Sequence, residues 1–164
     1  MKTRFLKLIQ TFILLIFISI QCYSQKDLIS NNNLAVSNTI IKLFDGMREV
    51  DSSKVRSVFR DDVRMFTSFK TKSGENMLKE GELIDFLNAI GSPHPEIWDE
   101  KIWNTIIQID GNLAQVWTDY AFYVGEKFSH CGVDAFQLIK EENENWKIIN
   151  LIDTRRIEGC KLME

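Results

Sequence analysis

Proline is nearly missing from this 164-residue chain: it has two, Pro93 and Pro95, on either side of His94. Glycine is modest too, at eight, so a low-complexity linker or a collagen-like protein is excluded. Cysteine is scarce, limited to Cys22, Cys131 and Cys160, and no two of them form a CxxC. Two distant histidines, His94 and His130, complete no zinc-ligand spacing, so neither a metal nor another cofactor is expected. Basic charge is not in excess either. The net charge of -3 and pI of about 5.5 argue against a nucleic-acid partner. The longest apolar run, Leu8 to Ile20, is about 13 residues, short of the ~20 that a membrane-spanning helix needs.

What remains is a globular composition, 45% hydrophobic and 26% charged, in a length that suits one domain. Lys2, Arg4 and Lys7 precede the apolar run, and Gln21-Cys22-Tyr23-Ser24 follows it. That is the layout of a secretory signal peptide over residues 1–24, with cleavage after Ser24. The mature protein is then exported, periplasmic or secreted, with no stable membrane insertion. An uncleaved anchor and a lipidated Cys22 are the alternatives, the latter disfavoured by Gln21 before the cysteine. Loss of residues 1–24 removes Lys2, Arg4 and Lys7 but no acid, which moves the net charge from -3 to -6 and favours solubility. Residues 25–33, polar with three successive asparagines, read as a flexible leader, and residues 34–160 as the domain.

Apolar residues recur at helical spacing from Leu34 to Arg48: Val36, Ile40, Leu43, Phe44 and Met47. Asp51 and its two serines offer an N-cap for a short helix over 52–59. Val63, Met65 and Thr67 alternate as a strand, Thr71 to Asn76 is a turn, and Leu78 to Ile90 reads as a third helix closed by Gly91. Beyond Pro95 the period becomes two. Strands are predicted over Ile97–Ile109, Leu113–Val124, Phe128–Lys140 and Trp146–Thr154, with Asp110-Gly111 as a hairpin signal. The fold class is α+β, an antiparallel sheet with helices segregated to one face.

The stretch Phe44-Asp45-Gly46-Met47-Arg48-Glu49-Val50-Asp51, then Val55 and Phe59, resembles the helical opening of the nuclear transport factor 2-like (SnoaL-like) superfamily. Phe128 to Phe136, with Trp146-Lys147-Ile148 and Asp153-Thr154-Arg155-Arg156, resembles exported bacterial members of the lumazine-binding type. The resemblance implies a cone: a curved antiparallel sheet packed on three helices from the N-terminal half, a small-molecule pocket inside, and a homodimer. It implies no single activity, because isomerases, dehydratases and non-catalytic binders share the fold. The chain departs from the ketosteroid isomerase pattern: its first helix turns Ile40, Leu43 and Phe44 inward with no tyrosine, and Ser68, Phe69 and Lys70 bring no carboxylate base.

A four-residue loop over Glu141–Glu144 would set Asp134 opposite Leu151 and His130 opposite Arg155. His130, Asp134, Phe136, Asp153 and Arg155 would then share the pocket face, and a loop one residue longer would split them. Thr118, Tyr120 and Phe122 on the preceding strand complete the expected ligand-binding set, leaving Trp117, Asp119 and Tyr123 outside, toward a dimer contact. Asp134, between Val133 and Ala135, needs a partner or a proton if buried. With His130 it is the candidate acid–base pair, the alternatives being a salt bridge to Arg155 or Arg156 and a histidine at a strand end. Three readings stay open: a small-molecule binder, a SnoaL- or dehydratase-type enzyme, and a dimeric interaction domain. In an oxidising compartment Cys131 and Cys160 are expected to form a disulfide; a free, reactive Cys131 is the rival.

Overall fold

The computed structural model describes residues 30–161, so the signal peptide, its cleavage site and residues 25–29 of the leader lie outside the described residues. Residues 30–48 are helical (α1), so 30–33, expected in the loose leader, belong to a helix. Val36, Ile40, Leu43, Phe44 and Met47, the stripe seen in the sequence, are all buried. After α1 the chain turns at Val50 in the left-handed region (φ 58°), and Asp51 caps α2 (Ser52–Arg56) by accepting the Lys54 N–H at 2.9 Å. That helix is three residues shorter than expected, because Phe59 already starts β1 (Phe59–Lys70).

The expected third helix is a strand and a helix. Residues Asn76–Gly81 form β2, an edge strand on β1, and only Leu83–Gly91 coils into α3. β3 (Trp98–Asp110), β4 (Leu113–Val124), β5 (Lys127–Lys140) and β6 (Trp146–Arg155) follow as a meander. The sheet order is β2-β1-β6-β5-β4-β3. Its pairs are antiparallel except β1 with β6, which run parallel, so the sheet is mixed rather than wholly antiparallel. The curved, unclosed sheet carries the helices on its inner face, and the core gathers there: Phe44 meets Phe136 edge-on at 6.3 Å, and Phe59 meets Phe86 at 6.4 Å. Among the described residues no helix is long and apolar enough to cross a membrane.

The β5–β6 register corrects the expectation in two steps. Lys140 pairs with Trp146, so the loop has five residues, 141–145. That alone would reverse the faces. A bulge at Ile149, between the pairs Leu138–Ile148 and Gln137–Asn150, inserts a second extra residue and restores them. Asp134 therefore pairs with Asp153, not Leu151, and Asp134, Phe136, Asp153 and Arg155 all line the same cavity. Cys131 bridges to Arg156, and its sulfur is joined to Cys160 with Cα atoms 5.9 Å apart.

The outer face keeps an apolar row. Ile106 pairs with Trp117, Trp117 with Ala135, and Ala135 with Ile152. Ile106 is 59% and Trp117 48% exposed.

Candidate functional site

Between the helices and the sheet lies a cavity of about 330 Å³. Leu43, Phe44 and Met47 of α1, Phe86 of α3 and Leu151 of β6 give it apolar walls. Its floor is polar, because β3 to β6 each aim a polar side chain inward there: Glu100, Tyr120, Asp134 and Asp153.

Asp153 is well supplied with donors. Thr67 Oγ1 donates to it at 2.5 Å, the Tyr120 hydroxyl lies 3.3 Å away, and Arg155 Nη2 approaches to 3.5 Å. The Tyr120 hydroxyl is closer to the Thr154 carbonyl, at 2.9 Å. Burial, then the charges of Asp153, Glu100 and Asp134, push its pKa upward, so it stays a donor. Gly132 makes this arrangement possible. A Cβ there would lie 1.7 Å from the Thr154 oxygen and 2.7 Å from Tyr120 Cε1. Where the ladder opens, the Val133 N–H bonds to Thr154 Oγ1 at 3.0 Å instead.

Asp134 is the opposite case. It is 3% exposed, and no donor reaches its Oδ2 among the described residues. Its hydrogen-bonding neighbour is another carboxyl group, that of Glu100. Two carboxyl groups can bond only if one carries a proton, and each raises the other's pKa if both ionise. Burial, then the charge of Glu100, holds Asp134 well above the ordinary carboxylate range. Burial raises Glu100 to about 7, against the lowering effect of its hydrogen bond with Asp134. At neutral pH the two hold a proton between them as a coupled pair.

Among the residues expected in the site, Tyr120, Asp134, Phe136, Asp153 and Arg155 line the cavity. Thr118, Phe122 and His130 share the inner face without lining it. The Thr118 hydroxyl lies 2.8 Å from Thr105 Oγ1 and donates to the Trp103 carbonyl at 3.0 Å, at the β3 bulge. His130 packs on Phe122 at 4.9 Å and on Tyr120 at 5.8 Å, and its Nδ1 meets Ser129 Oγ at 2.9 Å. Burial, then the Arg155 charge, lowers its pKa to about 4, so it is neutral at physiological pH. His94 stacks on Trp98 at 4.6 Å, away from the cavity.

Glu100 and Thr67 also line the cavity, and neither is among the residues expected there from the sequence. Glu100 sits in the charged run Asp99-Glu100-Lys101, which masks its direction. The signal was period two: Trp98 and Ile102 flank it two positions away, and both pack on the core.

The family described as "Putative lumazine-binding" matches residues 31–152. No curated protein matches the chain. Among solved structures, an NTF2-like protein with a cystatin-like fold from Novosphingobium aromaticivorans aligns with a TM-score of 0.66 at 7% identity, over 84% of this chain and 89% of that one. An NTF2-like protein of unknown function from Shewanella baltica aligns at 0.60 and 19% identity, over 79% of this chain and 97% of its own. A protein described as a putative ketosteroid isomerase, from Shewanella frigidimarina, aligns at 0.54 and 14% identity, over 73% and 94%. At such identities the likeness is one of fold.

Proposed function

The chain belongs to the putative lumazine-binding family, within the nuclear transport factor 2-like superfamily, and from that premise we propose that it is an exported protein that binds a small molecule in its cone. One observation carries the reading: a cavity of about 330 Å³ with apolar walls ends on a buried carboxyl, Asp134, whose Oδ2 meets no donor among the described residues. A buried oxygen without a protein donor costs free energy, which a ligand's N–H or O–H offsets. Tyr120, Phe136, Asp153 and Arg155 would contact the ligand beside it. Native mass spectrometry of the protein isolated from its source tests this. A retained small molecule that is lost on mild denaturation is expected; bare protein throughout would refute it.

Acid–base turnover is the second reading, favoured by the proton shared at Asp134. Glu100 is its hydrogen-bonding partner, while His130 lies on the same face outside the cavity lining. Export rests on the basic and apolar start of the sequence and accords with the Cys131–Cys160 disulfide. Gln25 is the expected first residue on N-terminal sequencing, and an intact Met1 in soluble cytoplasm would refute export. A homodimer through the Ile106–Trp117 row of the outer face completes the proposal, since an exposed tryptophan amid apolar neighbours suits an interface centre.

A further inference from the structure

We propose that the ligand is a compact organic cation, a primary ammonium or amidinium group on an apolar body, seated with its N–H donors between Glu100 and Asp134. This deepens the binding reading and rests on it. Tyr120 spends its single hydroxyl proton on Thr154 and Asp153, and Thr67 donates to Asp153. Arg155 is half exposed and pairs with Asp153. An incoming carboxylate or phosphate would therefore meet acceptors at the floor, whereas an N–H donor meets the unpartnered Asp134 Oδ2.

Charge points the same way. Around the cavity stand Glu80, Glu82 and Asp85 as well as the floor carboxylates, against Lys79 and Arg155. The titratable or charged groups facing Asp134 are Glu100 from β3, Tyr120 from β4, and Asp153 and Arg155 from β6. The α1 residues facing the cavity, Leu43, Phe44 and Met47, are apolar. A cation entering here replaces the proton that Glu100 and Asp134 share, and that proton leaves to solvent.

Isothermal titration of the full chain with 2-phenylethylamine, 2-phenylethanol and phenylacetate tests the class. At pH 7.5 the amine is expected to bind at least roughly tenfold tighter than the alcohol, as a charge-assisted hydrogen bond implies, and phenylacetate not to bind. Repeating the amine titration in buffers of different ionisation heat should show proton release. Asp134→Asn should remove the amine's advantage over the alcohol, and Glu100→Gln, judged alongside a thermal melt, should diminish the proton release. Equal binding of amine and alcohol to the wild-type protein overturns the cation and leaves the binding reading standing. No binding of the amine also overturns the cation, and the binding reading is then judged on retained ligand in native mass spectrometry alone.

Discussion

Replacing Glu100 with glutamine should make the protein more stable at high pH and change little at low pH. In the fold the Glu100 carboxyl titrates at about 7, against an ordinary 4.5. Below the ordinary value it is protonated both folded and unfolded and contributes nothing to the pH dependence. As pH rises the unfolded chain ionises freely while the folded one resists, so stability is lost, and the loss is complete above about 7. The interval corresponds to about 3 kcal/mol at 1.36 kcal/mol per pH unit, shared between the two members of the pair. For a chain of this size that is roughly 6–12 °C in melting temperature. Glutamine removes one titrating carboxyl and offers Asp134 an N–H. Urea unfolding followed by tryptophan fluorescence at pH 4.5 and pH 8.5, on both proteins, reads the effect of the pair as the difference between their pH dependences. The variant should gain about 2–3 kcal/mol on wild type between the two pH values. A stability difference that stays constant with pH to within about 0.5 kcal/mol would refute the buried pair.

Gly132→Ala pushes a methyl into the Thr154 carbonyl and the Tyr120 ring; a loss of roughly 2–4 kcal/mol is expected in thermal or urea unfolding. Opening the Cys131–Cys160 bridge, which closes a 29-residue separation, should cost about 3–4 kcal/mol, read as a lower denaturation midpoint after reduction, with no alkylatable thiol beforehand at these two positions. Trp117→Glu should convert the proposed dimer to monomer in light scattering while leaving retained ligand in place; a dimer that survives it does not use this face.

Strong burial contrast made parts of this fold legible. The α1 stripe and the alternation Ala114, Val116, Thr118, Tyr120 are written in residue type because one side of each element is sealed from water. β2 has no such contrast: all six of its residues are exposed, it is held by pairing with β1, and Leu78 beside the true helix looks like part of it. The parallel β1–β6 contact joins the first strand to the last, and no local pattern encodes it. Asp134, Asp153 and Arg155 were expected on one face, and they share it, but through a longer loop and a bulge that cancel. Glu100 was hidden because a glutamate between an aspartate and a lysine looks solvated until the faces are counted.

The parallel contact also sets an order of events. β6 lies between β1 and β5, so Phe66 and Thr67 cannot find Ile152 and Asp153 until the end of the chain has been made. Without β6, the β1–β2 pair has one edge bare and the floor of the cavity lacks Asp153. Loop closure over such a separation is slow compared with hairpin formation. The sheet is therefore complete only once the last strand has taken its place between β1 and β5. Cys160, just beyond that strand, then ties the finished order in place.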